Sequence, residues 1–247
     1  MRSSNPTLIS NPFSGGFGLV SEDNAMTIRG TVNKAVLMLI LLALPAAWVW
    51  RQFSMGNETF IHTWIPLGAI CGFVLSLATI FKKNWAPLTA PLYAVAQGLF
   101  LGGISVLFER QYPGMIPQAV SLSIATLLVM LVAYQANWVR PTERFRWGII
   151  SATGAIAVVY FVSVILGFFG VHVPFMAGSS LFSILFSFFV VGIAALNFIL
   201  DFDFIEQGSR RGVPKYMEWY GAFALMVTLI WLYVEILRLL AKINDRR

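Results

Sequence analysis

Residues 178–200 read GSSLFSILFSFFVVGIAALNFIL and contain no charged side chain. A backbone in lipid must satisfy its own hydrogen bonds, and a helix needs about 20 residues to cross roughly 30 Å of hydrocarbon. This stretch is therefore long enough to span a bilayer as one helix. Six other stretches are also predominantly apolar and about as long, so the sequence predicts seven spans, at residues 32–50, 64–81, 87–108, 116–136, 148–169, 178–200 and 219–241.

The overall composition supports the same fold class. Of 247 residues, 58% are hydrophobic and 11% are charged, whereas about a quarter of the residues in soluble domains are charged. We therefore predict an all-α integral membrane protein, with a seven-transmembrane-helix bundle over residues 31–247 in the lipid bilayer. Residues 1–30 are rich in Ser, Asn, Gly and Pro and lack an apolar core, which predicts a flexible cytoplasmic tail rather than a signal peptide.

The basic residues indicate the orientation of the chain. The N-terminal segment and the loops after even-numbered spans carry most of the Lys and Arg, whereas the loops on the other side carry only Arg51 and Arg110. Basic loops face the cytoplasm, so the N-terminus is predicted to be cytoplasmic. Seven spans then place the basic C-terminal tail outside, unless one apolar segment is re-entrant. The net charge of +6 is explained by this topology, and no nucleic-acid partner is expected.

Signatures of soluble enzymes are missing from the sequence. It has no nucleotide-binding glycine pattern, no metal-ligand spacing of His and Cys, and no Gly-x-Ser-x-Gly motif. Both histidines, His62 and His172, are predicted in outer loops, and the single cysteine is Cys71. We expect neither an enzyme nor a cofactor.

A glycine cluster lies in the third span, in the stretch QGLFLGGIS. Gly98 and Gly102 are four residues apart and share a helix face, with Gly103 beside them. Small residues at this spacing let helix backbones approach closely, which predicts a packing role. The alternative is that they permit the helix to slide or tilt.

Acidic residues follow the apolar run of span six, in NFILDFDFIEQG. Helical periodicity places Asp201 on the same face as Asn197, which predicts an inward polar face or an interhelical hydrogen bond. Asp203 shares a different face with Glu206, and with Arg210 these two could form an exposed ion-pair stripe.

Glu235, in WLYVEILRLL, lies deeper in its span than the other acids. Carboxylates inside spans are costly and often serve ion or proton pathways, although Glu235 could instead pair with Arg238. Two carboxylates that approach each other share protons. Such a pair could bind a hard cation transiently when ionised and release it when protonated, with no resident metal.

These acidic segments resemble the last two spans of the Bax inhibitor-1 family (transmembrane BAX inhibitor motif proteins), and AVAQGLFLGGIS resembles the glycine-bearing third span of that family. The whole chain is most similar to the bacterial branch. The resemblance implies an inner-membrane bundle with a central last helix, and a pH-sensitive Ca²⁺ or cation leak gated by an acid pair between spans six and seven. Glu235 takes the place of the span-seven acid, usually Asp, and either Asp201 or Asp203 takes that of the span-six acid.

The distance along the chain is a difficulty for that acid pair. With a turn near residue 212, Asp201 and Glu235 differ in height by roughly 18 Å, so direct contact requires residues 212–219 to absorb the extra length. A competing hypothesis is a regulator that contacts other membrane proteins, such as a quality-control protease, through its N-terminal tail. A proton-coupled carrier is a third possibility and would need a substrate cavity.

Overall fold

Seven α-helices account for most of the chain in the computed structural model, which describes residues 24–139, 141–170, 178 and 180–246. Each is long and apolar enough to cross a membrane, which confirms the predicted seven-helix membrane bundle in the described part of the chain. The helices are α1 (Ile28–Ser54), α2 (Glu58–Phe81), α3 (Ala86–Gln111), α4 (Met115–Gln135), α5 (Glu143–Phe168), α6 (Leu181–Arg210) and α7 (Met217–Asn244).

The helix ends follow from local sequence signals. Thr27, Thr142 and Ser180 precede α1, α5 and α6, and each side chain accepts a hydrogen bond from a backbone N–H of the first turn. A short 3₁₀ turn, Lys83–Trp85, leads into α3. Gly212 ends the turn after α6 with a positive φ of 58°, a conformation that glycine adopts without steric cost.

α3 and α7 form the centre of the bundle. Buried residues make up 56% of the apolar stretch of α3 and 50% of that of α7, against 11% for α1 and for α5. The surrounding helices expose large apolar side chains, as expected for a surface that faces lipid. The central position of α7 agrees with the family resemblance.

The glycines of α3 lie where neighbouring helices come closest. A side chain at Gly98 or Gly102 would meet the α1 backbone at Leu42 or Ala46, and one at Gly103 would meet Ile65 of α2. Close packing therefore accounts for the cluster QGLFLGGIS.

The N-terminal segment differs from the predicted tail where the structure describes it. Ala25 pairs with Pro214 in an antiparallel bridge, and the Met26 N–H donates to the Val213 carbonyl at 2.7 Å. Met26 is buried beside Ile205. α1 also begins at Ile28, inside the range 1–30 predicted as tail. Residues 1–23 of that tail and His172 lie outside the described residues, whereas His62 lies near the start of α2 rather than in a loop.

Candidate functional site

α6 and α7 run antiparallel, and two polar contacts fix their register. The Thr228 hydroxyl donates to the Asp201 carboxylate at 2.6 Å, and the Lys242 ammonium group donates to the Ser187 hydroxyl at 2.8 Å. The two contacts are separated by fourteen residues on each helix, so both are consistent with a single register of α6 against α7. Asp201 is thus the aspartate that faces the helix carrying Glu235.

Asp201 and Glu235 are nevertheless not in contact. Glu235 lies seven residues beyond Thr228, or about 10 Å of helical rise from the level of Asp201. The chain makes no long detour, because α6 continues to Arg210 and α7 begins at Met217. The expected direct contact within the acid pair is therefore wrong for this structure. The height difference is smaller than the expected 18 Å because residues 211–216 form the turn.

Glu235 faces α5 instead. The Tyr160 hydroxyl donates to its carboxylate at 2.8 Å, and Arg238 donates at 3.2 Å. Glu235 thus forms the ion pair with Arg238 that was the alternative prediction for this residue. With a side-chain exposure of 2%, the carboxylate is buried between these two partners.

The two acids at the end of α6 are bound to different helices. Asp203 forms an ion pair with Arg146 of α5 and accepts a hydrogen bond from Gln207 at 2.7 Å. Glu206 pairs with Arg210 at 2.5 Å, as the exposed stripe predicted, and also accepts from Tyr134 of α4. Asp203 is not part of that stripe, because its basic partner is on α5.

α5 presents polar side chains at intervals of seven residues. Arg146 contacts Asp203, Thr153 accepts a hydrogen bond from Asn197 at 2.9 Å, and Tyr160 contacts Glu235. Intervals of seven keep side chains on one helix face, so this row holds α5 against α6 and α7. Asn197 therefore makes an interhelical hydrogen bond, but to α5 rather than to the helix that Asp201 contacts.

Asp201 lines a cavity of about 440 Å³ between α2, α3, α6 and α7. The other polar groups in its wall include Ser76, Gln97 and Thr228. The Gln97 side-chain oxygen is buried and has no hydrogen-bond partner in the described part of the chain. The cavity thus combines a carboxylate, an amide oxygen and hydroxyl groups in an otherwise apolar wall.

Asp201 differs from the other two candidate gate acids in the charge of its partner. Asp203 is paired with Arg146, and Glu235 with Arg238. The hydrogen-bond partner of Asp201, Thr228, is neutral, and no basic side chain within the described residues forms an ion pair with it. Asp201 is therefore the candidate that can accept a proton or a cation without first releasing a basic side chain.

Sequence reasoning missed a second buried acid, Glu218, near the start of α7. It is 1% exposed and forms an ion pair with Lys34 of α1. The backbone N–H and the hydroxyl of Thr27 also donate to it, at 3.0 and 2.9 Å. A side chain at Gly30 would overlap this carboxylate. An acid in the first turn of a helix looks like an interfacial residue, so the sequence gives no local signal of its burial.

Lys242 and Thr228 were also missed, although a usable signal exists. Thr228, Glu235 and Lys242 recur at intervals of seven residues in a mostly apolar span. That spacing places all three on one face of α7. A search for polar residues at heptad spacing would have found the row.

The chain is similar in sequence to a curated protein whose name describes a transporter. It is 28% identical over 172 residues to the nucleobase-ascorbate transporter LPE1 of Zea mays, an alignment that covers 60% of this chain. The chain thus spans about a third, 32%, of the length of the curated relative it matches. No solved structure matches.

The family assignment rests on a longer match. The chain matches the family described as Bax inhibitor 1 like over residues 5–245, nearly its whole length. The seven helices agree with the architecture implied by the resemblance. This polytopic membrane protein belongs to the Bax inhibitor-1-like family.

Proposed function

We propose that the protein is a pH-sensitive cation leak pathway, with Ca²⁺ as a permeant ion and Asp201 as the titrating group. The observation that carries the proposal is the carboxylate of Asp201 in the wall of the cavity, without an ion-pair partner in the described residues. Ionisable groups inside spans face protein or water and mark ion and proton pathways. Ca²⁺ prefers oxygen ligands, and Gln97, Ser76 and Thr228 offer further oxygens around Asp201.

The other acids of the predicted gate have different roles in this proposal. Asp203, through Arg146, and Glu235, through Tyr160, hold α5 against α6 and α7. Glu235 lies about 10 Å from Asp201 in height and does not line the cavity. Protonation of Asp201 therefore changes the charge of the cavity wall by itself. It does not require the contact between two acids that the resemblance implied.

We also propose a location, an orientation and a class of activity for the protein. We place it in the inner (cytoplasmic) membrane of a bacterial cell, with the N-terminus in the cytoplasm because the basic loops lie on that side. It acts by transport rather than by catalysis. The similarity to a protein named as a transporter supports this class.

The test is Ca²⁺ flux into liposomes that contain the purified protein, measured from pH 5 to pH 8. We expect Asp201→Asn to lower flux by about tenfold or more and to remove its pH dependence, because the substitution deletes the titrating ligand. Asp203→Asn is the matched control, two residues away on the same helix. It should retain the pH dependence, as should Glu235→Gln.

Two outcomes would contradict the proposal at different levels. An absence of Ca²⁺ flux at every pH for the original chain rules out the leak pathway. Flux that is unchanged in Asp201→Asn rules out only the role of Asp201. A proton-coupled carrier that uses the same cavity would instead show saturable exchange of a solute.

A regulator of other membrane proteins, such as a quality-control protease, is the second candidate function. It is favoured by the N-terminal segment, since residues 24–27 bind the α6–α7 turn and a further 23 residues precede them. Deletion of residues 1–23 should then abolish regulation of the partner and leave Ca²⁺ flux intact. Co-purification with the protease and its rate of proteolysis are the measurements. Asp201→Asn should instead lower Ca²⁺ flux and leave regulation of the partner intact. If one variant lost both activities, the two functions would not be separable.

A further inference from the structure

The cavity that contains Asp201 has aromatic side chains in its wall that the proposed ion pathway does not use. Four of them line it, and we call them the aromatic wall: Phe73, Tyr93, Phe100 and Phe223. The rings of Tyr93 and Phe223 meet edge to face at a centroid distance of 4.9 Å. Ca²⁺ binds oxygen ligands, so the aromatic wall indicates a ligand of another kind.

The polar groups of the same cavity favour a cation that donates hydrogen bonds. None of the lining residues that the structure describes is basic, so Asp201 gives the cavity a negative charge when it is ionised. The Gln97 side-chain oxygen has no hydrogen-bond partner among the described residues. Rotation about the last bond of a glutamine side chain has a broad energy profile, so this oxygen can turn towards a donor in the cavity. Both acceptors thus match an N–H group that carries a positive charge.

The cavity is also continuous with the apolar outer surface of the bundle. Phe73, Ile80 and Val227 line it and are 63%, 46% and 37% exposed. Its volume of about 440 Å³ lies within the range of small-molecule sites, roughly 300–1,000 Å³, which are mostly apolar with a few polar groups. A ligand with an apolar arm would cover these side chains, whereas an inorganic cation would not.

An organic ammonium ion with an apolar arm matches all of these features. Its charge is opposite to that of Asp201, and aromatic rings attract ammonium groups through their π faces. We propose that this cavity binds a lipophilic primary amine, with the ammonium group at Asp201 and Gln97 and the arm along the aromatic wall. Binding uses the same carboxylate as the proposed ion pathway but is measured without ion flux, so either proposal can fail without the other.

The test is equilibrium binding of radiolabelled 4-phenylbutylamine to the full chain in nanodiscs, with partition into empty nanodiscs subtracted. The matched ligand is 4-phenylbutanol, which has the same arm and a neutral hydroxyl group. The amine should bind about tenfold more tightly than the alcohol or better, because hydrogen bonds to a charged group are stronger than those to a neutral one. Equal affinities for the two compounds would overturn the proposal.

Asp201→Asn should weaken binding of the amine by about tenfold or more and leave the affinity for the alcohol within about twofold. Retained binding of the alcohol shows that the cavity is intact. The matched control is Asp203→Asn, which removes the same charge from an aspartate that pairs with Arg146 and does not line the cavity. Equal losses of amine binding in the two variants would contradict a role for the Asp201 carboxylate as the anchor.

Two further substitutions test the rest of the site and do not depend on how Asp201→Asn folds. Gln97→Met nearly keeps the side-chain volume and removes the acceptor, and Phe100→Leu keeps an apolar side chain and removes the ring. Each should weaken binding of the amine by about threefold or more, and binding of the alcohol by less. If neither changes the ratio of the two affinities, the proposed site is wrong.

A lipid competitor distinguishes the two possible sources of an ammonium group. The head group of phosphatidylethanolamine also carries one, but its phosphate would be repelled by the Asp201 carboxylate. Lysophosphatidylethanolamine at a concentration equal to that of 4-phenylbutylamine should therefore not displace the amine. Displacement at that concentration would overturn the assignment to a free amine.

Discussion

Replacing Glu218 with alanine is expected to lower the free energy of unfolding by about 3–5 kcal/mol, because the substitution leaves a partly buried charge without its partner. The side chain of Glu218 is 1% exposed and that of Lys34 19%. The substitution also removes the acceptor for two hydrogen bonds from Thr27. Unfolding in mixed micelles of mild detergent and dodecyl sulfate, followed by circular dichroism, measures the change.

Two further variants identify the ion pair as the cause. Glu143→Gln removes an exposed acid from the first turn of α5 and should lower stability only slightly. Glu218→Gln combined with Lys34→Met removes both charges, and should be more stable than Glu218→Ala because no uncompensated charge remains. A double variant that is as unstable as Glu218→Ala would show that the charge of Lys34 is not the source of the loss.

Two glycine-to-alanine substitutions are expected to have effects of opposite sign. At Gly98, an alanine Cβ would overlap the carbonyl oxygen of Leu42, which is backbone and cannot rotate away. α1 and α3 would have to separate, at a cost of about 3 kcal/mol. At Gly192 of α6 no atom lies within 4 Å of the added Cβ among the described residues. Alanine there should stabilise the helix by up to about 1 kcal/mol.

The same unfolding assay compares these two variants directly. Both substitutions add one methyl group to a helix interior, so the intrinsic helical preference changes equally and only the packing differs. Gly102→Ala should resemble Gly98→Ala, because its Cβ would lie 2.9 Å from the backbone of Ala46. Equal stability of Gly98→Ala and Gly192→Ala would contradict the close contact between α1 and α3.

The membrane bundle could be predicted because each span carries its own signal. An uncharged stretch such as residues 178–200 has to satisfy its backbone hydrogen bonds locally, whatever surrounds it. The helices extend beyond the predicted spans because they continue into the polar interface, as α6 does to Arg210. Hydrophobicity detects the part of a helix that lies in lipid and not its ends.

The candidate site could be predicted only in part. Helical periodicity placed Asp201 and Asp203 on different faces, and in the structure they bind different neighbours, Thr228 of α7 and Arg146 of α5. It also grouped Asn197 with Asp201, whereas Asn197 contacts α5. Helical periodicity does not predict which neighbouring helix a face contacts, because that depends on tertiary packing. For the same reason, the contact between Glu218 and Lys34, 184 residues apart in the chain, has no local signal.

The two contacts that fix the register of α6 and α7 also limit how this molecule can change shape. The contacts of Asp201 with Thr228 and of Ser187 with Lys242 are about 21 Å apart along α6. Sliding α7 by one turn would break both at once, and splaying one end would break the nearer one. α6 and α7 should therefore behave as one rigid body, with any widening of the cavity at Asp201 produced by movement of α2 and α3 against it.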